Sequence, residues 1–190
     1  MAEDGNQPRR CIIALPPRGD CESRTEESWS LSCPDGVEFR GQRFLLPEGC
    51  AVEAGAQWLE PSLLSVSISL RAEAVGVCDR CLKETTLAIS DVLMYLYYSR
   101  GLEFGKDTEL ESDDGFMPVE VDYLGRTLDI GPQVQESLLL LLPTKLLCRP
   151  DCAGLCSRCG ADLDQGPCSC PRDEGDPRFE ALRLVRLEEP

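Results

Sequence analysis

Eight cysteines fall into four short-spaced pairs: Cys78-x2-Cys81, Cys148-x3-Cys152, Cys156-x2-Cys159 and Cys168-x-Cys170. Zinc takes four soft ligands in a tetrahedron, and one tight turn carrying two thiolates supplies half of such a set. Four pairs therefore predict two metal sites. Cys156-Ser157-Arg158-Cys159-Gly160 has the form of a zinc knuckle, in which the glycine lets the backbone curl and aim N–H groups at sulfur. Closing a short local loop joins this knuckle to Cys168 and Cys170. Cys78 and Cys81 are then left to meet Cys148 and Cys152 across about 70 residues.

A four-thiolate site offers no open position for water and makes its metal a poor Lewis acid, so both sites read as structural. The same thiols admit other chemistry. Cys152-x3-Cys156-x2-Cys159 has the spacing of a radical-SAM iron–sulfur triad, but too little chain follows it for the barrel domain of those enzymes. An iron–sulfur or redox protein is the alternative reading of the cluster. A thioredoxin-like role for Cys78-x2-Cys81 needs the motif to open a helix, and here it sits between two strand patterns. Cys11, Cys21, Cys33 and Cys50 have no close partner in the sequence and read as small buried or partly exposed residues.

The rest of the composition removes whole mechanisms. The chain has 190 residues, 12 cysteines, no histidine and a formal charge of −15. Without histidine there is no Ser-His-Asp triad, no Cys-His pair and no H-E-x-x-H metal site. No glycine-rich phosphate loop is present, and paired acids such as Asp113-Asp114 are too common in an acidic chain to indicate glycosidase chemistry. The chain is therefore expected not to be an enzyme. Its charge weighs against broad binding to a phosphate backbone. The acidic, polar start lacks the basic and apolar segments of a signal peptide, and no run approaches a membrane span. These features predict a cytoplasmic protein with reduced thiols.

The elements that must position the thiols follow from periodicity. Apolar and polar residues alternate from Leu64 to Ala74, the period of a half-buried strand. A second strand is expected from about Glu84 to Tyr98, with Thr85, Leu87 and Ile89 on one face. The pair makes a hairpin whose tip carries Cys78 and Cys81. Residues 11–60 mix short apolar runs with Gly, Pro and charge, and predict short strands and turns. Asp129-Ile130-Gly131-Pro132 reads as a helix start with Asp129 as cap. That helix runs over about 130–142, ends at Pro143, and places its five leucines in the core. Residues 101–130 hold nine acids and two bases, a net of −7. Within them Glu109 to Gly115 reads as an exposed acidic loop. A second cap-and-proline start at Asp176-Pro177 predicts a short terminal helix with Phe179, Leu182 and Val185 on one face.

The predicted organisation is a flexible tail over 1–10 and a β-rich domain over 11–147. A Cys-rich zinc segment over 148–175 and a short helix and tail over 176–190 follow. The fold class is α+β: an antiparallel sheet, with barrel-like closure as an option, a leucine-rich helix, and the Cys-rich segment. Two zinc–thiolate sites would bring the net charge to about −19. RNA contact would then be local, through Arg149, Arg158, Arg178, Arg183 and Arg186, while the acidic stretch suits a basic protein.

Together, several motifs resemble the YceD family, bacterial and plastid proteins linked to accumulation of large-subunit ribosomal RNA. They are Cys78-Asp79-Arg80-Cys81-Leu82 after an alternating strand, the Pro-terminated leucine helix, Cys148 to Leu163, Gly166 to Cys170, and Asp176 to Leu182. The resemblance covers roughly residues 60–187. Some members lack the second cluster but keep the hairpin cysteines, with His or Cys at the positions of Cys148 and Cys152. This implies that Cys78, Cys81, Cys148 and Cys152 form one unit. The family is often encoded beside a zinc-binding protein of the large subunit. The resemblance implies a role in large-subunit biogenesis, with large-subunit ribosomal RNA or a basic ribosomal protein as partner.

Overall fold

The computed structural model describes residues 10–100 and 115–171. The N-terminal tail, most of the acidic loop, the expected terminal helix and Arg178, Arg183 and Arg186 lie outside the described residues. The central element is β4 (Leu63–Val77). Its alternation places Leu64, Val66, Ile68 and Leu70 in the core with no exposed surface, while Arg71 and Glu73 face out. It pairs antiparallel with β3 (Gln42–Glu60) on one side and β5 (Glu84–Ser99) on the other, in unbroken register with β5 from Leu63↔Tyr98 to Val77↔Glu84. This is the expected hairpin, and its tip is Cys78 to Lys83.

The remaining sheet departs from the expectation of short strands. β2 (Arg24–Phe39) and β3 are long strands of 16 and 19 residues. Pro34-Asp35-Gly36 and Pro47-Glu48-Gly49 fall in strand irregularities where the register shifts. Gly36 and Gly49 have φ of +71° and +75°, and a side chain at either would run into a facing backbone carbonyl, of Phe44 or Leu31. A bulge bends a strand without ending it, so Pro and Gly mark the bulges here rather than the boundaries. The true turn between the two strands is Arg40-Gly41, both at positive φ (52° and 78°), as a two-residue hairpin loop requires.

β6 (Phe116–Val121) adds to β5 in parallel, giving a mixed five-stranded sheet in the order β2-β3-β4-β5-β6. The sheet is open, with β2 and β6 at its edges, so barrel-like closure does not occur. A second small sheet pairs β1 (Ile12–Ala14) with β7 (Thr127–Asp129). Buried Trp58 donates its indole N–H to the Pro16 carbonyl at 2.9 Å, which fastens the segment after β1 onto the sheet.

Helix α1 (Gly131–Leu141) follows β7 directly and contacts β4 and β5. Its N-cap is Ile130, not Asp129. Asp129 stands one residue earlier and accepts the N–H groups of Gly131 (3.0 Å) and Cys11 (3.2 Å), so its carboxylate joins helix start to β1. The leucine run is only partly core. Leu138 and Leu142 are buried, Leu139 and Leu141 are half-buried, and Leu140 is 57% exposed, because a helix presents one stripe and not five consecutive residues. Ser137 is buried instead, with its hydroxyl 2.9 Å from that of Tyr95. No helix among the described residues is long and apolar enough to cross a membrane.

Gly76, near the end of β4, lies where a side chain would be too close: a Cβ would sit 2.8 Å from Leu146 and 3.0 Å from Phe44. Overpacking of this kind costs about 1–3 kcal/mol. Gly76→Ala should lower the urea midpoint accordingly; an unchanged midpoint would mean that the sheet and the Leu146 segment are not packed as described.

Candidate metal centres

Two groups of four cysteines each bring their sulfurs within 4.8 Å of one another: Cys78, Cys81, Cys148 and Cys152, and Cys156, Cys159, Cys168 and Cys170. In the first group Cys78, Cys81 and Cys152 are buried and Cys148 is exposed; the second group is half-buried to exposed. No disulfide joins any of the described cysteines.

The two turns that begin these clusters share one backbone design. In the first, the N–H of Leu82 donates to the Cys78 carbonyl (2.9 Å) and that of Cys78 to the Lys83 carbonyl (2.8 Å). In the second, Gly160 donates to Cys156 (2.9 Å) and Cys156 to Ala161 (2.8 Å). The residue after the second cysteine is left-handed in both, Gly160 at φ 72° and Leu82 at φ 58°. Glycine takes this conformation freely; leucine does not, and Leu82 is also 66% exposed. This reversal is what turns both cysteines of each pair to one side.

The first cluster is assembled over long sequence distances. The Cys78 and Cys152 sulfurs are 3.9 Å apart and those of Cys81 and Cys148 3.6 Å. A tetrahedral ion with metal–sulfur bonds of about 2.3 Å sets sulfur–sulfur edges of about 3.8 Å, and a disulfide would need about 2.0 Å. Asp79 locks the two halves together. Its N–H donates to the Leu146 carbonyl (2.8 Å), and its carboxylate accepts the Leu146 N–H (2.6 Å). Leu147 and Leu155 pack against the three buried cysteines, Cys78, Cys81 and Cys152.

The electrostatics of the thiols point the same way. Burial pushes the Cys78 thiol up, but the N–H groups of Cys81, Cys148 and Arg80 outweigh it and bring it to about 6. Cys152 is pushed up to about 12, by burial and then by the neighbouring Cys148 thiol. In the second cluster the N–H groups of Cys159 and Arg158 bring Cys156 down to about 6, while its hydrogen bond with Cys159, and then burial, push Cys170 up to about 12. Each cluster thus pairs a thiol that ionises readily, Cys78 or Cys156, with one that resists, Cys152 or Cys170. A cation among the four sulfurs removes that resistance, and four soft donors in a tetrahedron suit zinc or iron. Either cluster could hold one such ion.

The other candidate residues lie elsewhere or are already engaged. Arg149 pairs with Asp164 (2.5 Å) and Asp151 (3.4 Å). Arg158 is an exposed residue of the second turn. Cys11 and Cys50 are buried in the main core, Cys33 is half-buried, and Cys21 is exposed with its sulfur 3.6 Å from the Leu59 carbonyl. Burial, with Cys33 and Cys11 nearby, pushes Cys50 up to about 11. Sequence spacing did not single out Asp79, Arg80, Lys83, Asp162 or Asp164, which surround the clusters. The signal available was their place, inside or directly after a two-cysteine turn.

A family model described as "Large ribosomal RNA subunit accumulation protein YceD" matches residues 66–185, a stretch that includes both clusters. An uncharacterised protein of Mycobacterium tuberculosis is 30% identical over 117 residues, 62% of this chain and 53% of that protein. An uncharacterised protein of Mycobacterium leprae is 27% identical over 121 residues, 62% of this chain and 50% of that one. A chloroplast protein of Arabidopsis thaliana named large ribosomal RNA subunit accumulation protein YCED homolog 1 is 28% identical over 96 residues, 45% of this chain and 30% of its own length. The chain thus spans about half the length of the mycobacterial relatives and less of the plant one. No solved structure matches.

Metal analysis separates the clustered cysteines from the rest. Cys81→Ser, assayed with stoichiometric metal, should bind one ion fewer per chain than the unaltered protein. Cys50→Ser, in the apolar core, should bind the same number. Equal metal content in both variants would mean that the four sulfurs around Cys81 do not form a site.

Proposed function

The chain belongs to the YceD family, and from that membership we propose that it is a non-enzymatic factor supporting accumulation of large-subunit ribosomal RNA during ribosome biogenesis in the cytoplasm. The observation that carries this reading is the family match over 66–185, which takes in the hairpin, the helix and both thiol clusters. The printed name of the Arabidopsis relative describes the same role.

In this reading Cys78, Cys81, Cys148 and Cys152 hold one zinc ion, and Cys156, Cys159, Cys168 and Cys170 a second. Four thiolates close each site, so zinc would contribute folding energy and not a reactive water. The first ion would fasten the β4–β5 tip to the segment after α1; the second would hold a short loop that has little apolar packing of its own.

Charge bears on the partner. A net of −15, more negative with thiolate-bound zinc, opposes general attraction to RNA. Near the clusters, Arg149 is already held by Asp151 and Asp164, and Lys83 by Asp162. These pairings favour a basic ribosomal protein over bare RNA as the direct contact, with the acidic stretch over 101–130 as the complementary charge. The effect on ribosomal RNA would then follow from delivery or protection of that protein.

Depleting the protein in its own host should lower the ratio of large- to small-subunit ribosomal RNA while small-subunit RNA stays near its normal level. An unchanged ratio with a normal subunit profile would contradict the reading.

A further inference from the structure

The two thiol clusters are joined by a set of contacts that neither needs for its own sulfurs. Arg80 lies in the middle of the first turn. Its carbonyl accepts the N–H of Leu155 (3.1 Å), the residue just before Cys156. Its guanidinium donates to the Cys152 carbonyl (2.7 Å). Gly154 passes so close beneath that a Cβ would sit 3.0 Å from the Arg80 oxygen. Lys83, just after the first turn, reaches Asp162, just after the second, at 2.5 Å. Asp162 is itself fixed, accepting the N–H of Asp164 (3.1 Å) and the side-chain amide of Gln165 (3.0 Å). Asp164 accepts the Ala153 N–H at 2.8 Å and holds Arg149, the neighbour of Cys148.

These bonds make residues 152–156 common property. Cys152 belongs to the first cluster and Cys156 to the second. Between them Leu155 packs against the buried first cluster and forms a β-bridge with Asp162. Ordering the first cluster therefore also orders Leu155 and Asp162, and with them the turn that carries Cys156 and Cys159. The second cluster lacks the first one's burial and apolar cover, so it gains most from being set in place in advance.

We propose that Arg80, Lys83 and Asp162 are positioning residues that couple the two clusters, so that metal in the buried site raises the affinity of the exposed one. This rests on the reading of both clusters as metal sites. Coupling of binding free energies is reciprocal, so metal in the exposed site strengthens the buried one by the same factor. Bonds of this kind typically support factors on the order of ten. The Lys83–Asp162 pair, with Lys83 about half exposed, accounts for about three-fold of it.

The test is anaerobic cobalt(II) titration of the full chain against a competing chelator, read by thiolate-to-cobalt absorption. Cys81→Ser and Cys159→Ser each leave one complete cluster and give the single-site constants. The two-ion constant of the unaltered chain should exceed the product of those constants by about ten-fold. Lys83→Met, which leaves all eight sulfurs in place, should lower that excess by about three-fold, and Lys83→Arg should keep it. A two-ion constant equal to the product would overturn the coupling while leaving both metal sites standing. An excess unchanged in Lys83→Met would overturn the role of the ion pair. Binding of fewer than two ions by the unaltered chain would instead overturn the metal reading, and the coupling with it.

Discussion

Everything in this molecule turns on four sulfurs that lie within 4.8 Å of one another, close enough to share one ion, although their carriers lie up to 74 residues apart. Like charges packed side by side oppose one another, and a cation between them relieves that repulsion. The structure answers by burying three of them and aiming backbone N–H groups at the first to ionise, Cys78. The rest of the fold delivers the parts. The unbroken β4–β5 register fixes the hairpin tip, and α1, ending before Pro143, returns the chain to Leu146, where Asp79 clasps it. Gly76 leaves room for Leu146 and Phe44 to fill the space beneath.

Some of this was legible in the sequence because its physics is local. Alternation from Leu64 to Ala74 has one structural meaning, and two cysteines with two residues between them, set between strands, can only sit on a tight turn. The grouping of eight cysteines into two sets of four also follows from spacing, since Cys156, Cys159, Cys168 and Cys170 close a short loop without help. What escaped depends on tertiary context. Pro34 to Gly36 and Pro47 to Gly49 look like turns, and only the neighbouring strands make them bulges. Whether a sheet closes is not written in any one strand, and here a parallel β6 ends it as an open edge. Asp129 and the leucine run do more than their local pattern implies: the carboxylate bridges two elements, and the helix buries a stripe. Arg80 and Lys83 offer only their place in or beside a two-cysteine turn as a signal, because a single basic residue there is ordinary until its partner 72 or 79 residues away is seen.

The charge distribution separates architecture from recognition. Around the clusters, basic and acidic residues neutralise one another in short pairs: Lys83 with Asp162, and Arg149 with Asp164 and Asp151. Those groups hold loops together. By sequence the excess of acid is greatest over 101–130, where Glu120 and Asp122 pair with Arg100 and Asp129 with Arg10. The stretch that carries the clusters is also the stretch that matches the YceD family.

The most direct test of the central claim is the metal K-edge absorption spectrum of the full chain purified without oxygen. Two zinc ions per chain are expected, each with a shell of four sulfurs at about 2.3 Å and no metal–metal scattering. Oxygen or nitrogen in that shell, an iron edge with a neighbouring metal atom, or fewer than two ions per chain would contradict it.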